Sequence, residues 1–230
     1  MKHGREEKHY FLAVFLFQQN PMSVITKLHT LPKPPYKIEI FVDGMLWETV
    51  PADLVGELKL HEDLQLTDSL RTEIKYRVHL TEAHDIAMRM LAQRERSSGE
   101  IRQRLQARQL GEFADAVLQK LVQKDYLNDE RFARLFTRDK MNLKRWGPRR
   151  IRRELFLKGV EKEIIERVLE AAFNETEIQE TITALVEKKV RGKEAITDKE
   201  RQRIWNYLLR QGYAPADIAP VLRKIDRRAP

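Results

Sequence analysis

The sequence predicts a mainly α-helical fold: three tandem three-helix repeats forming an elongated, curved body, preceded by a small N-terminal α+β hairpin module. Two observations predict this class. After Thr81 apolar residues recur at helical spacing, and the pattern repeats about every 50 residues. Before Thr81 apolar and polar residues alternate, as in half-buried strands. Because one such repeat buries little apolar surface alone, neighbouring repeats are expected to stack.

The composition is basic and lacks cysteine. Of 230 residues, 43 are Lys or Arg and 35 are Asp or Glu, which gives a net charge of +8. Such a charge suits a polyanion or a partner with an acidic surface. The lack of cysteine excludes disulfides, cysteine-ligated zinc and thiol nucleophiles. It also fits a reducing cytoplasm, which is the expected location.

Residues 1–21 are interpreted as a non-essential extension. The apolar run FLAVFLF (11–17) follows basic residues, as in a signal peptide, but polar residues follow it instead of a small-residue cleavage site. The run is also too short to span a membrane. Met22 then opens MSVITKL, which reads more naturally as a protein start.

Residues 22–80 are predicted to form the α+β module. VITKLHTL and KIEIFV are candidate strands, and MLWETV runs back from the second of them. The intervening Asp43–Gly44 predicts a two-residue hairpin turn, since glycine accepts a positive φ. PADLVGEL and the segment from Thr67 to about Val78 are predicted to be short helices.

Three later segments, which begin at Glu100, Arg150 and Arg203, share one apolar pattern. An isoleucine is followed four residues later by leucine and then, five residues further, by a large apolar residue. The triplets are Ile101/Leu105/Leu110, Ile151/Leu155/Val160 and Ile204/Leu208/Tyr213. The helices that follow end in Val117-Leu118, Val168-Leu169 and Val221-Leu222, and those that precede begin near Glu82, Asp129 and Glu175. The repeats are predicted to span 81–127, 128–173 and 174–230.

Capping residues mark the predicted helix ends. Ser97-x-x-Glu100 and Thr197-x-x-Glu200 fit capping boxes, Asn128 and Asn174 are candidate N-caps, and Pro148 suits a first helical position. Gly159 and Gly212 occupy equivalent places where a helix should stop in the left-handed conformation. The first repeat has Gln109 there, with Gly111 two residues later, so its turn is expected to differ.

The most basic stretch is RWGPRRIRRELFLKGV (145–160), in the second repeat. An arginine fork matches carboxylates and phosphates, so this face is a candidate surface for a protein partner or a nucleic acid. The alternative is a solvated face with internal pairs such as Arg150–Glu154. Trp146 could stack on a base, but packing against the next helix is favoured. The candidate binding residues are Lys140, Lys144, Arg145, Arg149, Arg150, Arg152, Arg153 and Lys158.

No motif for catalysis, a cofactor or a metal stands out. His79 and His84 are five apart, and HExxH and glycine-rich phosphate loops do not occur in the sequence. The acidic stretch YLNDERFA (126–133) is better explained by Asn128 capping a helix, with Asp129 and Glu130 in its first turn. The sequence therefore predicts a non-enzyme with no cofactor.

Three segments resemble the RecX family of regulatory proteins: RERSSGEIRQRL (94–105), LVQKDYLNDERFARLF (121–136) and WGPRRIRRELFLKGV (146–160). ITKL (25–28) and IEIFVDG (38–44) resemble the β-rich extension of some members. The resemblance covers about residues 23–225. It is strongest between 85 and 173, and the third repeat shows only the generic pattern.

This resemblance implies a partner and a role that composition and periodicity do not show. Members of the family bind the RecA recombinase, chiefly as its filament on single-stranded DNA, lie along its groove, and inhibit strand exchange, ATP hydrolysis and coprotease activity. A second hypothesis, motivated by the basic patches, is a DNA-binding protein without sequence preference for single- or double-stranded DNA. In either case we expect a monomer that does not bind membranes.

Overall fold

The computed structural model describes residues 23–34, 36–191 and 196–226, which fall into two compact units divided between His84 and Asp85. The predicted extension over 1–21 lies outside the described residues. In the part of the chain that is described, no helix is long and apolar enough to cross a membrane.

The first unit contains a three-stranded antiparallel sheet in the order β1-β2-β3. Its strands are β1 (Ile25–Thr30), β2 (Lys37–Val42) and β3 (Met45–Pro51), followed by the short helix α1 (Ala52–Glu57). Asp43 and Gly44 form the β2–β3 turn with φ of 51° and 81°, which confirms the predicted hairpin. The three strands and α1 enclose one apolar core, which includes Ile40.

A single long helix, α2 (Asp68–Gln93), follows. The prediction of a short helix over 67–78 and a separate one from about Glu82 was therefore wrong. Between Asp68 and Gln93 the sequence has neither glycine nor proline, so nothing in the backbone interrupts the helix. Its buried apolar residues are Ile74, Ala83, Ile86 and Ala87.

In its described residues the second unit contains only helical elements, and these confirm the three-helix repeats. After α2 come α3 (Ser98–Gln106), a 3₁₀ turn (Gly111–Phe113) and α4 (Ala114–Gln123). The second repeat is α5 (Asp129–Lys144), α6 (Pro148–Leu157) and α7 (Lys162–Ala172). The third is α8 (Glu175–Val190), α9 (Asp198–Gln211) and α10 (Pro215–Asp226). All three apolar triplets and all three apolar pairs are buried.

The predicted caps are also present. Both capping boxes form, Asn128 and Asn174 each accept a hydrogen bond from the first turn, and Pro148 lies in the first turn of α6. The capping side chains accept hydrogen bonds from backbone N–H groups that a helix start leaves unpaired. Pro148 has no N–H, so its backbone nitrogen needs no partner.

The turns that end α3, α6 and α9 are alike, contrary to the expectation for the first repeat. Gly159 and Gly212 have φ of 73° and 96°, and Gln109 adopts the same left-handed conformation with φ of 61°. In all three, the next residue donates its N–H to the leucine carbonyl five positions earlier, at 2.9–3.2 Å. A left-handed non-glycine residue costs roughly 1–2 kcal/mol, which the packed repeat offsets in the first copy.

Candidate functional site

The candidate binding residues surround α6, whose inward side is set by two core residues. Ile151 and Leu155, one helical turn apart, are fully buried. Gly147 is the N-cap, and Pro148 follows it without needing a hydrogen-bond partner for its nitrogen. The arginines between and around these apolar positions consequently lie on the flanks and the outward side of α6.

Trp146 is partly buried and packs against the core of the second repeat, which agrees with the favoured packing role. Its ring lies edge-on to Phe136, with 6.5 Å between centroids. The Arg150 guanidinium lies 4.0 Å from the Trp146 centroid, and the Lys140 ammonium lies 5.4 Å from it. Arg150 also donates to the backbone oxygen of Arg210 at 3.3 Å. Arg150 therefore covers a ring face that a nucleic-acid base would need.

Two further candidates are held in ion pairs. Arg152 donates through Nε and Nη2 to both carboxylate oxygens of Glu166, each at 2.8 Å. Hydrogen bonding to Glu166 raises the pKa of Arg152, and the same contact lowers the pKa of Glu166. Lys158 Nζ contacts Glu100 Oε1 at 2.9 Å. The sequence did not reveal these carboxylates because they lie 14 and 58 residues away along the chain.

The other four candidates, Lys144, Arg145, Arg149 and Arg153, are exposed. Among the described residues, none of the first three has a carboxylate within 4 Å. Within the same described residues, Arg153 has one long contact, 3.4 Å, to the neighbouring Glu154. In the alternative interpretation of this face Glu154 would pair with Arg150, but its contact is with Arg153.

Two large apolar side chains on α6 are exposed beside these arginines. The exposed fractions are 68% for Phe156 and 67% for Leu157. Sequence reasoning missed them, although a signal existed: once Ile151 and Leu155 are assigned to the core, helical geometry turns both residues outward. The outward side of α6 thus combines cationic and apolar groups.

The ends of the middle helices join neighbouring repeats through close backbone contacts. Ser97 Oγ, at the start of α3, donates to the Lys158 carbonyl at the end of α6, at 2.6 Å. A Cβ added to Gly99 would lie 2.4 Å from that carbonyl oxygen and 2.7 Å from Gly159 Cα. The two helix ends can touch only because neither glycine has a side chain.

The junction between the second and third repeats has the same arrangement as that between the first and second. Gly147 N, at the start of α6, donates to the Gln211 carbonyl at the end of α9, at 2.8 Å. A Cβ added to Gly147 would lie 2.7 Å from the carbonyl carbon and oxygen of Gly212. Ser97 and Gly147 stand four residues before the equivalent isoleucines, so aligned small residues were the sequence signal for both junctions.

Glu100 is the electrostatic centre of the first junction. Burial on its own raises the pKa of Glu100, but hydrogen bonds from Arg94 and Lys158, the charge of Lys158 and the Ser97 amide outweigh it and lower that pKa to about 2. Nearby, Asp129 accepts a hydrogen bond from the Ser98 amide at 2.7 Å. Burial raises the pKa of Asp129, so this carboxylate has the opposite pH effect.

We predict that Glu100→Gln destabilises the helical repeats by about 1–3 kcal/mol at pH 7, because Lys158 and Arg94 lose a charged partner. The pKa of Glu100 is lower in the folded state than its usual 4.5. Its contribution is therefore fully present above pH 4.5 and disappears as the pH falls towards 2. Urea unfolding of both proteins across this range should show the stability difference shrinking. A difference that does not change with pH would contradict the assignment.

No group of three or more His, Asp or Glu side chains that could hold a metal ion occurs in the described ranges. A cleft of about 240 Å³ between the second and third repeats is lined by Trp146, Phe173, Tyr213 and Glu177, among others. Its walls also include the candidate residue Arg145 and the polar side chains of Asn142, Glu180 and Thr181. The cleft therefore adjoins the surface around α6, which remains the candidate functional site.

Comparison with known protein families matches all three repeats. Models of RecX proteins match residues 83–121 as the first three-helix domain, 128–169 as the second and 175–222 as the third. These matches include the repeat that carries the candidate surface.

Curated relatives share the same description, "Regulatory protein RecX". One from Listeria welshimeri is 30% identical over 191 residues, which cover 83% of this chain and 71% of the relative. One from Caldanaerobacter subterraneus is 31% identical over 190 residues, which cover 81% of this chain and 92% of the relative.

Solved structures show the same fold. A crystal structure of regulatory protein RecX superposes with a TM-score of 0.68 at 20% identity, over 88% of this chain and all of that chain. RecX from Lactobacillus salivarius superposes with a TM-score of 0.58 at 22% identity, over 65% of this chain and 97% of that chain.

Proposed function

Because this chain belongs to the RecX family of non-enzymatic regulatory proteins, we propose that it binds the RecA recombinase, chiefly as the filament on single-stranded DNA, in the cytoplasm and as a monomer. Binding inhibits ATP hydrolysis, strand exchange and coprotease activity. The observation that carries the proposal is the outward side of α6, where exposed arginines lie on a helix fixed to both neighbouring repeats.

The charges on this side divide by role. Arg150, Arg152, Lys140 and Lys158 contact aromatic rings or carboxylates of this chain, so they mainly hold the second repeat and its junctions together. Lys144, Arg145, Arg149 and Arg153 remain available to a partner. Either of two physical routes leads from binding to inhibition. The bound protein bridges adjacent filament subunits and distorts them, or it occupies the groove and excludes the second DNA duplex.

A second candidate function is direct binding of DNA without sequence preference. The same four exposed cations favour it, since a protein that neutralises phosphates releases counterions. With four phosphates of a single strand neutralised, log affinity would fall with log salt at a slope of about −3. Arg150 covering Trp146 counts against a base-stacking mode.

The deciding experiment is ATP hydrolysis by the cognate RecA on single-stranded DNA, titrated with this protein. Binding to naked DNA is measured at the same salt concentration. We expect inhibition at protein concentrations well below those that coat the DNA, because the filament is the target. Inhibition that appears only when the strand is saturated would replace the proposal with competition for DNA. If the protein did not inhibit hydrolysis at any concentration, both mechanisms, binding to the filament and competition for DNA, would be refuted.

A further inference from the structure

We infer that the outward side of α6 docks on an acidic protein surface that contains an apolar pocket, with Phe156 and Leu157 entering the pocket and Arg149 and Arg153 pairing with carboxylates at its rim. The inference rests on the proposed function, because it assigns this pocket to the RecA side of the complex. It goes beyond that function because it assigns the central contact with the partner to two uncharged side chains, Phe156 and Leu157.

Helical spacing makes the four residues one surface. Arg149 and Arg153 are four apart, Arg153 and Leu157 are four apart, and Arg153 and Phe156 are three apart, so each pair consists of neighbours on the helix. The side chain of Arg153 is 74% exposed, and both apolar side chains are about two-thirds exposed. A central apolar anchor with arginines around it is the composition of binding hot spots in protein interfaces.

The other two repeats show that the fold does not require this surface. The positions equivalent to Phe156 and Leu157 hold Gln106 and Ala107 in the first repeat, and Leu209 and Arg210 in the third. Those equivalent to Arg149 and Arg153 hold Gly99, Gln103, Gln202 and Asn206. The helices α3, α6 and α9 nevertheless bury equivalent apolar triplets and end in the same type of turn. Only the second repeat combines the arginines with two exposed apolar residues.

The chemistry favours protein over nucleic acid as the occupant. Leu157 has neither a ring to stack on a base nor a group to hydrogen-bond with one, so DNA would leave it partly in water. An apolar pocket would remove both side chains from water. The arginine forks match carboxylates in bidentate geometry. Since α6 is fixed at its start to the third repeat and at its end to the first, the surface needs little rearrangement to bind.

The test uses full-length protein and two targets, the RecA filament on single-stranded DNA and the same DNA without RecA. In the variant F156S/L157S both arginines remain. The matched control, V122S/Y126S, alters an exposed apolar pair of the first repeat, whose exposed fractions are 54% and 50%. Thermal unfolding followed by circular dichroism checks that both variants fold. We expect them to fold, because the replaced side chains are on the surface.

We expect F156S/L157S to bind the filament at least 30-fold more weakly than wild type, the loss typical of a hot spot, with binding to naked DNA changed less than twofold. The control should match wild type on both targets. Filament binding unchanged in F156S/L157S would overturn the inference and leave the proposed function standing. Equal losses on filament and naked DNA would overturn it in favour of a nucleic-acid contact. If the wild-type protein did not bind the filament, the proposed function would be overturned as well.

Discussion

Replacing Gly99 with alanine is expected to destabilise the helical repeats by about 2–4 kcal/mol. Helix propensity alone predicts the opposite sign, since alanine is favoured over glycine in a helix by roughly 1 kcal/mol. The new Cβ, however, would lie 2.4 Å from the Lys158 oxygen and 2.7 Å from Gly159 Cα, which are backbone atoms that cannot rotate away. Overpacking of this kind costs about 1–3 kcal/mol. Separation of the helix ends would also weaken the Ser97 and Glu100 contacts to Lys158, at about 1 kcal/mol each.

Gly56→Ala is the matched control, because Gly56 is also helical and a Cβ there would meet nothing within 4 Å. It should leave stability unchanged or raise it by up to about 1 kcal/mol. Urea unfolding, followed by circular dichroism and by tryptophan fluorescence, measures both variants. If Gly99→Ala proved as stable as the control, the close contact between the first and second repeats would be wrong. Gly147→Ala tests the second junction in the same way.

Reversing the charge of Arg149 and Arg153 together is expected to raise the concentration needed to inhibit RecA by at least 100-fold. Each glutamate would remove a cation and oppose the carboxylates inferred on the partner, and like-charge contacts at an interface cost several kcal/mol. Both arginines are exposed, so R149E/R153E should melt within a few degrees of wild type. Arg150 and Arg152 are unsuitable for this test. Their reversal would disturb the contact with Trp146 and place a carboxylate beside Glu166.

A control with the same change in net charge separates a local contact from general electrostatics. R104E/R108E alters two exposed arginines of the first repeat and also lowers the net charge by four. We expect it to inhibit RecA hydrolysis within about threefold of wild type, measured at the same ionic strength. If both double variants lost inhibition equally, the long-range field of the protein would account for the effect and the assignment of Arg149 and Arg153 would be wrong.

Local chemistry was the part of the fold that could be predicted. Asn128, Asn174 and the two capping boxes act on backbone groups within three residues, so their spacing in the sequence is sufficient. The apolar triplets could be placed for the same reason. Gln109 shows the limit of this reasoning. Its intrinsic preference opposes a left-handed turn, yet packing of the first repeat imposes one.

The candidate site could be placed on α6 from the sequence. The sequence could not, however, separate the arginines that are free for a partner from those that contact other groups of this chain. Arg149 and Arg150 are adjacent and chemically identical, yet one is exposed and the other lies on Trp146 and reaches the Arg210 carbonyl. Apart from Trp146, which lies just before α6, the partners that distinguish the members of this set come from other helices. Periodicity within α6 therefore could not separate binding arginines from structural ones.

The sequence by itself determined the helical repeats, the hairpin at Asp43–Gly44 and the basic character of the second repeat, because helix caps, turns and apolar periodicity act over a few residues. Only the tertiary structure decided the glycine contacts between repeats and which arginines remain free for a partner. The physical reason is distance along the chain. Packing and ion pairing join residues tens of positions apart, and their energies exceed the local preferences from which a sequence is interpreted.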